Sequence, residues 1–363
     1  MGQDVKIQTR FCQIPQFSEK DLNWHLKSRR IFIAIGISFI LTTSLMYYLL
    51  LPPIPVLPPP PLTPHDAIAI DGDASFRTTA LLEGWSGNGT NENPFIVDRL
   101  EIDLGGVVGH GINIRNTRVS FTISNCNITG AYWTRGLDSS IDAAAIYLKN
   151  VINGELVNNT CNSNGHGIVI YESDSNTVVN NICNNNIHDG IAIYESNCNT
   201  VENNTCSKNT KFGIYLEESL GCNVENNICN NNGNGIYLHG SAANTVISNM
   251  CNSNRGDGIY LCGSTFNHII NNTCNGNAMH GILLESSSFS GVQDNTCNSN
   301  DIGLKLRFSV YNTVINDICN YNRIGIYLCF SENNIVGDNN CLCNSEHDIL
   351  EESDTENYSL ILL

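Results

Sequence analysis

Glu172, Glu195 and Glu218 are spaced by 23 residues, with Glu217 beside the last of them. If that interval is one turn of a repeating structure, the three carboxylates stack ~5 Å apart. Stacked carboxylates repel unless a proton or cation intervenes, and calcium is the ion whose oxygen ligands match this set. Solvated side chains splaying apart satisfy the same spacing and are the commoner outcome on a surface. His166, His188 and Asp189 fall on the same interval, so two imidazoles and a carboxylate from adjacent turns meet, as a small metal cluster or as a metal-free His/Asp turn. Asp189 and Asp257 share a column but lie three turns, ~14 Å, apart. That exceeds the ~6.5–9.5 Å separation of an inverting carboxylate pair. Tyr171, Tyr194, Tyr215, Tyr237 and Tyr260 occupy five consecutive turns, changing column between Tyr194 and Tyr215. Aromatic rings on a rigid surface suit stacking on sugar rings or packing on a protein partner, while the β-propensity of Tyr is the plainer explanation.

The repeat that would position these residues is explicit. Cys161, Cys183, Cys206, Cys229, Cys251, Cys274, Cys297, Cys319 and Cys341 follow one another at 22 or 23 residues. Gly167, Gly190, Gly213, Gly235, Gly258, Gly281, Gly303 and Gly325 mark a second register of the same period, each followed by Ile or Leu. Stretches such as GIVIYES and GIYLEES alternate with period two, which indicates strand, and a period in the twenties with several strands per unit indicates a solenoid. The Gly-Ile strand, the branched pair near Val178 and Val179 and the Cys strand predict three short strands per turn, one coil of a parallel β-helix. Asn pairs such as Asn158-Asn159, Asn203-Asn204 and Asn226-Asn227 recur at a turn and predict an amide ladder. The ladder cysteines read as a stack of small buried hydrophobes, with soft-metal binding along the column as the sharper alternative. Off the ladder, Cys198, Cys222, Cys262, Cys329 and Cys343 are the better disulfide or thiol candidates.

Organisation along the chain follows from composition. The 363 residues carry 18 Lys+Arg against 35 Asp+Glu, net −17, and only 15% are charged. Such acidity disfavours nucleic-acid binding. Residues 1–30 form a basic leader, expected in the cytoplasm from its flanking Arg29-Arg30; 31–51 are an uncharged run long enough to span a bilayer as one uncleaved helix. The Pro-rich stretch 52–64 reads as a stiff stalk, so the bulk of the chain is expected outside the cell. Residues 65–104 break the pattern and predict an N-terminal cap burying Trp85 and Phe95. Coils occupy 105–345, and 346–363 form an acidic tail that helps close the far end or is disordered. Pro64-His65-Asp66 falls at the end of the stalk, off any predicted coil. The fold class expected is an all-β, right-handed parallel β-helix of about eleven coils.

The G-I-x-I, N-N-x-C and N-T-V elements, with Ile70-Asp71-Gly72 and Asn93-Pro94-Phe95-Ile96-Val97 in the cap, resemble the pectate-lyase-like superfamily. The form is that of the NosD-like repeats common in archaeal surface proteins, and the resemblance spans about residues 68–345. It is specific for fold and permissive for activity. It implies that the exposed side of the G-I-x-I sheet is the functional face. The reading reached is a membrane-anchored binding or scaffold module for polysaccharide, glycan or a surface protein. The alternative is a calcium-assisted lyase or epimerase, with Lys211, Arg255 or Lys305 as base. Copper handling in the NosD manner is implied by the resemblance alone.

Overall fold

The computed structural model describes residues 60–132, 143–353 and 359–362. The predicted leader, the span 31–51 and residues 52–59 of the stalk lie outside the described residues. Among the described residues no helix is long and apolar enough to cross a membrane.

From Pro61 onward the chain winds as a parallel β-helix. Two twelve-stranded parallel sheets run along it, one from Ile68–Asp71 to His347–Glu352, the other from Phe95–Asp98 to Leu360–Leu362. A third line begins as three strands, Thr63–Pro64, Leu100–Asp103 and Asn127–Thr129, and continues as single parallel bridges beside each ladder cysteine, from Thr160↔Ile182 to Ile318↔Asn340. The predicted Cys strand is thus reduced to one bridged residue per coil. Register is exact in type as well as position: Ile168 pairs Ile191, Ile191 pairs Ile214, and Val178 pairs Val201. Period-two alternation sends Ile168, Ile170 and Val178 inward, where they and Cys183 have no solvent exposure.

Each Asn pair divides its work. Asn158, Asn180, Asn203 and Asn226 take the left-handed conformation, φ between 55° and 58°, which Asn tolerates better than other residues with a side chain. Their successors turn inward. The backbone N–H and Nδ2 of Asn204 both donate to Asn227 Oδ1, at 2.9 and 3.0 Å, and Nδ2 also donates to the Val178 carbonyl at 2.9 Å. A second buried ladder runs from Asn164 through Asn186 and Asn209 to Asn322, and serines from Ser173 to Ser331 form another. The interior therefore satisfies by repetition the polar groups that its tight corners strip of water.

The glycine column is required by close approach. A Cβ on Gly258 would lie 2.5 Å from the Gly281 carbonyl oxygen and 2.8 Å from Cys274 Cβ. Gly258→Ala should destabilise the protein by ~1–3 kcal/mol through overpacking. Gly263 has φ 58° and open space around it, so Gly263→Asn should stay within ~0.5 kcal/mol of the parent. Equal denaturation midpoints for the two variants would contradict this account.

The N-terminal end is closed by a helix, Asp73–Glu83, that strand periodicity does not announce. Its Phe76 is buried against Phe95 and Phe121, with ring centroids 5.5 and 5.1 Å away. Trp85, half-buried, packs on Phe76 and on the core. Thr63 and Pro64 already pair with Leu100 and Glu101, so the Pro-His-Asp triplet belongs to the first coil and not to a stalk off any coil. At the other end, His347–Glu352 and Leu360–Leu362 add strands to the two sheets, so the acidic tail supplies a further turn of the solenoid.

Candidate functional site

On the outer face of the first sheet, residues two and four places after each Gly project outward, as does the residue before it. Near the N-terminal side the first of these columns carries Tyr147, Val169 and Ala192, which with Ala144 from the column before the Gly form a buried apolar floor. Tyr171, Tyr194 and Tyr215 pack against that floor. Tyr171 and Tyr194 meet edge to face, as do Tyr194 and Tyr215, at 6.5 and 5.5 Å. Where the column changes, the rings become parallel: Tyr215 and Tyr237 lie 5.2 Å apart at 27°, Tyr237 and Tyr260 4.6 Å apart at 7°. All five predicted tyrosines are therefore one contiguous stripe. Because the central rings turn their faces to each other, an incoming molecule meets ring edges and hydroxyls; the expected stacking of a ligand on open ring faces is not what this arrangement offers.

Carboxylates line the stripe. The Tyr260 hydroxyl donates to Glu285, whose other oxygen accepts from Arg307 at 2.7 Å. His239 Nδ1 lies 3.4 Å from Glu217. Burial, with Glu172 and Glu195 adding to it, pushes the Tyr171 phenol up to about 12, and burial and Glu217 push Tyr215 up as well. These phenols are neutral donors and acceptors at physiological pH.

Two His–Asp pairs sit in the column before the Gly. His166 Nδ1 is 3.3 Å from Asp189 Oδ2, with both side chains almost wholly buried. The other Asp189 oxygen accepts from the Phe212 backbone N–H at 3.0 Å. His188 stacks on His166 at 5.0 Å and 12°. Burial, with the neighbouring His166 and Lys211 charges, lowers His188 to about 4, so it is neutral. Further along, His280 Nδ1 is 2.7 Å from Asp257 Oδ1. His166, His188 and Asp189 are thus brought together as the spacing predicts. Stacked imidazoles, however, direct their in-plane lone pairs side by side and not toward one point.

Glu172, Glu195 and Glu218 do recur in consecutive coils, each exposed and each with φ of 46–48° at a turn. Lys149 Nζ stands 3.8 Å from Glu172. Among the described residues no three His, Cys, Asp or Glu side chains form a group able to hold a metal ion. Of the cationic candidates, Arg255 is committed to structure, its Nη2 donating to the Thr210 carbonyl at 2.8 Å. Lys305 lies over the Tyr327 ring at 5.2 Å, and Lys211 is exposed beside His188, whose carbonyl accepts from its backbone N–H at 2.9 Å.

Phe212 and Tyr147 belong to the face without being marked by sequence. Phe212 packs on both Tyr215 and Tyr237, at 5.0 and 4.9 Å. Its place just before Gly213, in the column of Asp189 and Asp257, was the available signal. Tyr147 stacks on His110 at 4.3 Å; its coil carries Ala145 where the others carry Gly, which hid its register.

The nine ladder cysteines are buried, eight with no exposure and Cys341 with 9%. Each thiol is within side-chain hydrogen-bonding reach of the next, from Cys161 to Cys341. Burial holds Cys183, Cys206 and Cys274 protonated. Off the ladder, Cys198 and Cys343 are exposed, Cys262 is half-buried, Cys329 is buried, and Cys222 fills a slot of an Asn ladder; all are free thiols.

The model of a family described as periplasmic copper-binding protein (NosD) matches residues 86–280 and 251–360. No curated protein matches the chain. Among solved structures, a point mutant of the periplasmic alginate epimerase AlgG aligns with a TM-score of 0.53 at 15% identity, over 83% of this chain and 84% of that one. The Dettilon tailspike protein (gp208) aligns with a TM-score of 0.52 at 18% identity, over 79% and 61%. At these identities the likeness is one of fold.

Proposed function

Since the chain belongs to the NosD family, we propose that it is an extracytoplasmic β-helix module that binds a polysaccharide or glycan along its tyrosine face, held at the membrane by the span at 31–51. The observation that carries this reading is the unbroken stripe from Tyr171 to Tyr260, half-buried in five consecutive coils and lined by Glu217, His239, Glu285 and Arg307. A ligand that itself repeats meets phenol hydroxyls, carboxylates and ring edges again at every coil, ~4.8 Å further on. Packing such a face costs little ordering, because neighbouring rings already hold one another in place. The alginate epimerase that shares the fold is named for a polysaccharide, in keeping with a glycan ligand here.

A calcium-assisted lyase or epimerase is the competing reading; its ion would have to draw together Glu172, Glu195, Glu217 and Glu218, which form no such group among the described residues, with Lys211 as base. One experiment separates the two. The full-length protein is incubated with neutral and acidic polysaccharides, in calcium or in EDTA, while binding and the absorbance of unsaturated products are followed together. The binding reading expects saturable binding with flat absorbance. Replacing both Tyr215 and Tyr237 by Ala should weaken that binding ~10-fold or more, as loss of paired aromatic anchors does. Absorbance that grows and that EDTA abolishes would replace this reading with the enzymatic one.

A further inference from the structure

The corner that joins the first sheet to the second carries a second aromatic feature, away from the tyrosine stripe. In earlier coils its left-handed positions hold Glu172, Glu195 and Gly240 in one column and Ser175, Gly221 and Ala243 in the other. Further on, Phe308 and Phe330 take the first column and Phe266, Phe289 and Tyr311 the second, with φ between 49° and 59°, a conformation that bulky side chains rarely adopt. Each of the five is 37% to 55% exposed. Phe266, Phe289 and Tyr311 stack at 5.1 and 5.2 Å, within 11° of parallel, and Phe308 stacks on Phe330 at 5.6 Å and 12°. The turn itself does not need these rings, since Gly and Ser make it elsewhere, so backbone strain and exposed apolar area are both carried here for another reason. Charge divides along the same corner. Its N-terminal half, with the adjoining outer face of the second sheet, bears Glu172, Asp174, Glu195, Glu202, Glu218 and Glu225. The corner segments 240–243, 263–266, 286–289 and 308–311 bear no charge, and the sheet beside them presents Ile247, Ile270 and Ile315, half-buried, on its outer face.

We propose that this aromatic corner is the contact between two copies of the chain, packed side by side and antiparallel. A partner that engages ring after ring must carry a row at the same ~5 Å interval, which stacked coils supply. The corner itself carries such a row, and a two-fold contact sets each row against its own copy. At ~150–250 Å² per aromatic side chain, five half-exposed rings offer about 400–600 Å². With the isoleucines alongside, the patch approaches the ~800 Å² per partner of a standard interface. Rings already held in stacks lose little freedom on docking. Charge sets the direction: parallel copies would place each acidic half against its counterpart, whereas antiparallel copies crossing near Phe289 send the acidic halves off in opposite directions. A lipid surface is the poorer match, because faces that lie on membranes are rich in Lys and Arg. The cation beside this corner, Arg307, is ion-paired to Glu285 at 2.7 Å and packed on the Phe308 ring. The stripe from Tyr171 to Tyr260 lies on the sheet face and not on this corner, so the contact stands apart from the glycan reading.

Light scattering on the full-length protein in mild detergent, between ~1 and ~50 µM, tests the association over the weak end of what such an interface supports. Two chains per particle are expected. The triple variant Phe266→Ser/Phe289→Ser/Tyr311→Ser should weaken association ~30-fold or more, as loss of a cluster of anchors does. Ile182→Ser/Met250→Ser, which removes exposed apolar side chains from another line of the solenoid, should leave it unchanged. Disulfide trapping reads the direction. Cys198 is exposed and shares the column of Phe266 and Phe289 on its acidic side, so parallel copies would join through it and antiparallel copies should not. Ser288→Cys, beside the crossing, should trap the dimer in a Cys198→Ser/Cys343→Ser background. Circular dichroism checks that the triple variant folds, and trapping at position 288 decides the matter if it does not. A single chain per particle throughout the range, a dimer that the triple variant leaves intact, or a dimer linked through Cys198 would overturn the assignment. Quenching by brominated lipid that Phe289→Trp gains over the parent in proteoliposomes would put a bilayer against the corner and overturn it too.

Discussion

Asn227→Leu should cost the protein about 4 kcal/mol or more of unfolding free energy, although the side chain changes little in volume. Asn227 Oδ1 accepts from the backbone and the side chain of Asn204, at 2.9 and 3.0 Å. Its Nδ2 donates to the Val201 carbonyl at 2.9 Å and to Asn249 at 3.0 Å. Leucine ends all four bonds where no water can replace them, since Asn204 and Asn227 are buried. Each orphaned polar group costs ~1–3 kcal/mol. The damage falls in mid-solenoid, where stability is a sum of neighbour terms, so it divides the coils into two weakly coupled blocks. Asn226→Leu is the matched control: its residue is exposed and left-handed, φ 55°, and the cost is ~1–2 kcal/mol of backbone strain. Chemical denaturation of both variants is the check. A loss at Asn227 no larger than that at Asn226 would mean that the ladder merely accompanies the fold.

That pair of neighbours also shows where sequence reading stops. The period was legible because one residue type recurs at one place: nine cysteines and eight glycines at 22 or 23 residues leave a stack of coils as the economical solution. The turn-forming role of the Asn pairs followed from the same recurrence. Which Asn of each pair turns inward did not, because both tolerate a corner and only cross-coil register decides. The face was legible in its columns but not in its contacts. Tyrosines in consecutive coils foretold a stripe, while the rotation that sets Tyr171 and Tyr194 edge-on and Tyr237 and Tyr260 face to face depends on the small floor of Ala144, Val169 and Ala192. Phe212 escaped notice because its column mixes His166, Asp189 and Asp257 with Ala144 and Ile302, so no recurring type marks it. His280 and Asp257 stand one coil apart in the same column, as His166 and Asp189 do, so the interval that joined the first pair was available for the second. The capping helix Asp73–Glu83 repeats nothing, and a reading built on period has no purchase on it. Cys222 shows the converse limit: it sits in an Asn-ladder slot, its N–H donating to Asn244 Oδ1 at 2.8 Å and its thiol to the Ser196 carbonyl at 3.4 Å.

Asp317→Asn should stabilise the protein, and the gain should depend on pH. Asp317 occupies a slot that Asn159, Asn181, Asn204, Asn227, Asn249, Asn272 and Asn295 fill in earlier coils. Its Oδ1 accepts from the Asn295 backbone at 2.8 Å and from Asn295 Nδ2 at 2.9 Å. Its Oδ2 is buried without a hydrogen-bond partner, where an Asn would present its donor. Burial raises this carboxyl to about 7; the Asn295 bonds oppose the rise, and the Asp294 charge adds to it. The folded state therefore keeps a proton that the unfolded chain releases near pH ~4. Stability is unpenalised below that pH, falls as pH climbs toward 7, and levels off above it. A shift of about three units bounds the loss at roughly 4 kcal/mol on the alkaline plateau. Asparagine removes the titration and supplies the missing donor to the ladder. The variant should thus exceed the parent by about 2–4 kcal/mol at pH 8 and by under 1 kcal/mol at pH 4. Paired denaturation curves at the two pH values read this directly. Parallel curves, with the same difference at both, would show that the buried carboxyl is ionised throughout and that the ladder accommodates its charge by another route.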